Sequence, residues 1–112
     1  MGNQVFTAGR LRERVTIQQP VETADTAGGV TVSWNDVATV WAEVTPLTGT
    51  ESVVAAKLQS GVSHRVVVRY RSGVTARHRL SFGGRVFAVQ AVFDVEERGE
   101  FLELLVREGV GS

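Results

Sequence analysis

Apolar and polar residues alternate through most of this chain, and the alternation is interrupted once, after Pro46. A period of two places successive side chains on opposite faces of a pleated strand, so such a chain is a candidate for sheets with one buried face. In residues 11–19, Leu11, Val15 and Ile17 fall on one parity. Val30, Val32 and Trp34 do the same after a loop at residues 23–29 containing Gly28 and Gly29. Asn35 and Asp36 read as a turn, and residues 37–45 as a further β-branched strand carrying Trp41. Residues 62–71 place His64, Val66, Val68 and Tyr70 on one side, with Arg65, Val67, Arg69 and Arg71 on the other. That Arg-bearing side is expected outward. Ser72-Gly73 is a turn, and Gly83-Gly84 suits a primed hairpin turn between strands at 77–82 and 85–94. On the second of these, Phe87, Val89, Ala91 and Phe93 share a parity expected to face the core. A last strand at 100–108 puts Leu102, Leu104 and Val106 on one face, and Phe101 and Leu105 on the other.

These elements predict a mainly β protein: a small antiparallel β barrel or sandwich of about seven strands. The 112 residues fit one domain. Residues 1–10 are expected to form a flexible arm, and residues 47–61 a helix-like insertion. Pro46 cannot donate to a ladder. Thr48 and Glu51 then have the spacing of a capping box, residues 52–60 are good helix formers, and Gly61 suits the stop. Val54 and Leu58 would share a face of that segment.

The chain carries 12 basic and 12 acidic residues, for no net charge. Overall charge therefore gives no drive toward nucleic acid. The distribution is uneven. Between Ser52 and Phe93 there are Lys57 and six Arg (Arg65, Arg69, Arg71, Arg77, Arg79 and Arg85) but no acid; from Asp94 to Glu108 there are six acids and two Arg. The simple expectation is that the two stretches pair across neighbouring strands. The alternative is a basic surface, built on Arg65, Arg69, Arg71, Arg77 and Arg79, that faces a partner or DNA. No cysteine is present, so disulfides and thiolate metal sites are excluded. No apolar run approaches a membrane span, and no secretory signal is visible at the start.

Convergent chemistry is sparse. His64 and His78 lack the spacing of metal ligands and lie in expected strands, where a structural role is the simpler reading. Glu96, Glu97, Glu100 and Glu103 read as a solvated acidic turn and strand face rather than a hydrolytic pair. No nucleophile elbow or phosphate loop occurs. The chain is read as a non-enzyme without metal or cofactor.

The order of motifs resembles a known family. A Gly-Arg-Leu-Arg-x-Arg-Val start at residues 9–15 is followed by Asp-x-x-Gly-Gly at 25–29 leading into Trp34. Then come Val-Trp-Ala-Glu-Val-Thr-Pro-Leu-Thr-Gly-x-Glu at 40–51, Val-Val-Val-Arg-Tyr-Arg at 66–71, the Gly-Gly hairpin, and Glu-Arg-Gly-Glu-Phe-Leu-Glu-Leu at 97–104. This pattern is similar to the head–tail joining proteins of tailed bacteriophages, also called head closure or stopper proteins. The resemblance implies a virion protein of the neck, assembled in the host bacterial cytoplasm. It would form a homo-oligomeric ring beneath the portal and adaptor, above the tail terminator, around packaged double-stranded DNA. It also implies that the segment carrying Thr48, Gly49, Thr50, Glu51, Val54, Lys57, Leu58 and Gly61 projects toward the channel and helps close it. With only Glu51 and Lys57 charged, steric closure is the expected mode. Two other roles compete: a tail terminator or tail-tube ring subunit, and, from a different class, a small oligonucleotide-binding barrel using the Arg stretch.

Overall fold

In the computed structural model, residues 8–47 and 61–109 are described. They form six antiparallel strands: β1 (Glu13–Ala24), β2 (Val30–Pro46), β3 (His64–Arg69), β4 (Arg79–Phe82), β5 (Arg85–Asp94) and β6 (Phe101–Gly109). Short 3-10 turns lie at Ala8–Arg10 and Val95–Glu97. The strands hydrogen-bond in the order β1-β2-β3-β6-β5-β4, and β4 returns to pair with β1 through Thr16, Ile17 and Gln18, closing the sheet. Closure leaves no free edge where the six strands meet. The expected antiparallel β architecture is therefore present.

The inside of the closed sheet is filled by the residues that alternation selects. Val15, Ile17, Val66, Val68, Leu80, Phe87, Leu104 and Val106 are all at most 1% exposed. Each such side chain contributes roughly 1.5–3 kcal/mol of burial, so this interior is the main favourable term. Val74, in the connection between β3 and β4, packs on the same cluster. Gly83 and Gly84 have φ of 58° and 82°, positive at both central positions as a type I′ turn requires, and join β4 to β5 with Phe82 opposite Arg85.

Several sequence expectations change. Tyr70, on the side expected inward, lies past β3 and is 46% exposed, whereas Val67, on the Arg-bearing side expected outward, is buried. Three further changes concern strand pairing and turns. The described residues hold six strands, where about seven are expected, because β2 runs unbroken through Asn35 and Asp36. Asn35 pairs with Gln19, and the Asp36 carboxylate accepts a 2.8 Å hydrogen bond from Gln18. Cross-strand partners thus satisfy the two residues that would otherwise favour a turn. The register slips by one residue between Ile17 and Gln18, absorbing Val37 as a bulge. Second, Phe93 is 46% exposed instead of sharing the core with Phe87 and Val89. A bulge between Val89 and Ala91 inverts the alternation, so Val92 turns toward the core and Ala91 outward. Third, the first loop is shorter than expected. β1 extends through Ala24, and Asp25 closes the turn by accepting from the N–H groups of Ala27 and Gly29 at 2.9 and 2.8 Å.

The long β1 and β2 strands also overhang. β1 pairs with β4 only at residues 16–18, and β2 pairs with β3 only at residues 42–46. Beyond Gln18 and Asp36 the two strands pair only with each other, as a two-stranded arm. The described molecule accordingly measures 58 × 27 × 25 Å.

Candidate assembly surfaces

The interruption after Pro46 leaves and re-enters the sheet at one place. Leu47 N–H donates to Ser63 C=O at 3.0 Å, one step beyond the Pro46–His64 pair that ends the β2–β3 ladder. Leu47 and Val62 then pack together with Leu105 and Ala91, all outside the main core. Leu105 is the outward residue between Leu104 and Val106, so this stem sits on the outer wall of the sheet. Gly61 has φ of 79°, a conformation glycine adopts readily, and it lies against Arg107. Of the candidate channel-closing residues, Gly61 is within the described chain. Thr48, Gly49, Thr50, Glu51, Val54, Lys57 and Leu58 lie outside the described residues.

Beside the stem is a polar cluster at the end of the sheet. Ser63 Oγ accepts from the Glu108 N–H at 2.8 Å and lies 2.8 Å from His64 Nδ1. The His64 ring meets Phe87 edge-on at 5.1 Å, and Arg85 forks onto Glu108 through Nε and NH2 at 2.8 and 2.9 Å. Burial lowers the His64 pKa from its ordinary 6.5; Glu108 raises it and Arg85 lowers it. The hydrogen bond from Arg85 holds the Glu108 carboxyl below its usual range. Ser63 and His64 are adjacent in sequence, and Glu108 is committed to Arg85. The arrangement caps the core rather than orienting a nucleophile. His78, at the other histidine position, accepts from the Thr75 N–H at 3.1 Å and shapes the loop before β4. Among the described residues no group of three or more potential ligands could hold a metal ion.

The candidate basic residues do not converge on one face. β3 and β4 occupy opposite walls of the closed order, which separates Arg65 and Arg69 from Arg79. Arg65 lies 3.7 Å from Glu103 on β6, and Arg85 pairs with Glu108 on the same strand, as cross-strand pairing of the basic and acidic stretches anticipates. Arg69 stacks over Phe101 at 5.8 Å. Arg79 covers Trp34 at 4.3 Å and donates to Gln18 at 2.7 Å. Arg71 and Arg77 lie in the exposed connection between β3 and β4.

Two surfaces escape the sequence reading. One is the arm itself. The other is a groove of about 670 Å³ lined by Gly9, Leu11, Arg12, Val40, Trp41 and Arg69. Trp41 is 51% exposed there, with Arg14 over its ring at 4.7 Å. The wall is held by the 3-10 turn at Ala8–Arg10, where Arg10 donates to Glu43 at 2.7 Å. The arm follows from strand lengths: β2 is 17 residues long where β3 has six, so β2 and its partner β1 overhang, and the turn-like Asn35 and Asp36 hide that length in the sequence.

A family model of the phage head completion proteins matches residues 6–109. The chain belongs to the phage head completion protein family. Among solved structures it is similar to protein SF1141 from Shigella flexneri 2a, with a TM-score of 0.75 and 32% identity over 96% of this chain and 100% of that one. It is also similar to a chain of the virion of a native gene transfer agent particle, with a TM-score of 0.64 and 25% identity over 91% of this chain and 98% of the other. No curated protein sequence matches significantly. As a head completion protein, the chain is a structural component of a phage-type virion, and the resemblance read from its motif order is upheld.

Proposed function

We propose that this head completion protein is a subunit of the phage neck. It forms a ring beneath the portal and adaptor, helps close the DNA channel through residues 48–61, and offers the tail a docking surface. The observation that carries the reading is the stem: within a family match spanning residues 6–109, Leu47 and Val62, which flank the interruption, pack on the outer wall of the closed sheet. A segment held this way can reach a neighbour or a channel without opening the core. Its charge supports steric closure, since Glu51 and Lys57 are its only ionisable residues.

The test is removal of residues 49–60 with a short Gly-Ser link across the stem. The deletion variant is expected to stay folded, with an unchanged β spectrum and cooperative melting, while particles built with it lose packaged DNA. Full DNA retention by such particles would overturn the channel-closing role. Spontaneous growth of the intact purified protein into long tubes would point instead to a tail-tube subunit.

A further inference from the structure

The two-stranded arm presents an apolar face that is exposed at Val30 and Val32, while Trp34 at its base is covered by Arg79. Cross-strand pairing puts Pro20 with Trp34, Glu22 with Val32 and Ala24 with Val30 on the same side. Val30 and Val32 are 62% and 50% exposed. An isolated two-stranded ribbon is marginal in water, so a face of this kind gains order by packing against something. The arm is also acidic: residues 19–36 contain Glu22, Asp25 and Asp36 and no base. Asp25 closes its own turn and Asp36 is bound by Gln18, which leaves Glu22 as the acid on the apolar face.

The groove at Trp41 has the opposite character. Its walls are apolar at Leu11, Val40 and Trp41, and its charges are Arg12 and Arg69, with Arg14 beside them on Trp41. The neighbouring acid Glu43 is taken by Arg10. An exposed tryptophan flanked by arginines is the composition that dominates binding energy at protein interfaces.

We propose that the arm of one subunit docks in the Trp41 groove of a second copy of this chain, with Val30 and Val32 against Trp41 and Glu22 among the arginines. The inference rests on the ring-subunit reading above and names the contact that builds the ring. Arm and groove are different surfaces, so each copy both gives and receives. Such a heterologous contact generates a ring when its rotation closes. With Val30 and Val32 the only strongly exposed large apolar side chains on the arm, the contact is expected to form at high local concentration and to disperse on dilution.

The chain lacks cysteine, which makes the test direct. Two full-length variants, Val32→Cys in the arm and Gly9→Cys at the groove, are mixed at about 1 mM, a concentration at which a contact of about 4 kcal/mol is half-formed, and joined with a short bismaleimide. Arg98→Cys, on the exposed turn before β6, replaces Gly9→Cys as control. The expected result is about tenfold more Val32–Gly9 product than Val32–Arg98 product, equivalent to about 1.4 kcal/mol of preference. High salt should reduce that preference. Equal yields would overturn the proposed contact. So would a Val32/Gly9 double variant that links only within one chain at the same concentration of about 1 mM. Either failure leaves DNA retention by the residue 49–60 deletion as a separate measure of the neck role.

Discussion

Phe87 shows how one side chain can organise a small core. It is fully buried, meets Phe82 at 6.4 Å, and receives the edge of His64 at 5.1 Å. Phe87→Ala is expected to cost about 3–5 kcal/mol, measured as a fall in the urea midpoint, because a closed sheet has little freedom to collapse around the cavity. His64 adds a pH dependence. Its folded-state pKa lies below 6.5, chiefly through burial, so the unfolded chain takes up the proton more readily. The stability tied to its neutral form is full above about pH 6.5 and is lost as the pH falls below it. Urea titrations at pH 8 and pH 5.5 should show this loss, and His64→Gln should flatten it. A wild-type slope that persists in the variant would assign the effect to the carboxylates.

At the scale of elements, the arm and the closed sheet are distinct in their support. The sheet is held by a shared interior, whereas the arm is tethered at its base by Arg79, which spans Gln18 on β1 and Trp34 on β2. Arg79→Ala removes the hydrogen bond and a cation–π contact worth about 0.5–1 kcal/mol. Amide hydrogen exchange should quicken in residues 19–24 and 30–36 while the β3–β6 ladder stays protected. Equal acceleration in both regions would mean that Arg79 supports the core instead. The stem behaves differently again. Leu47 and Val62 anchor the interruption to Leu105 and Ala91 through an apolar contact small enough to be separable from the core.

For the whole molecule, zero net charge combines with local pairing of the basic stretch. Arg65 lies near Glu103, Arg85 binds Glu108, and Arg69 and Arg79 stack on aromatic rings. A chain organised this way offers few phosphate contacts. The purified protein should give no anisotropy change with a short single-stranded oligonucleotide at about 0.15 M salt up to roughly 100 μM, the weak end of ordinary non-specific binding. A salt-dependent shift that weakens in Arg69→Ala would restore the oligonucleotide-binding reading. Without it, contact with DNA would follow from placement in an assembly rather than from the charge of one subunit.

Sequence alone determined the class of fold, the inward parity of Val66, Val68, Leu102, Leu104 and Val106, the Gly83-Gly84 hairpin and the interruption after Pro46, because each is a local pattern of period or turn chemistry. The order of its motifs also carried the family. Tertiary structure decided what depends on strand partners. The bulge at Gln90 turned Phe93 outward, since an unpaired residue inverts every later position on its strand. Cross-strand bonds kept Asn35 and Asp36 extended. The basic stretch, continuous in sequence, was divided between opposite walls by the strand order. The arm and the Trp41 groove belong to the same class: how far a strand overhangs is set by the lengths of its neighbours, and no single strand's sequence contains that difference.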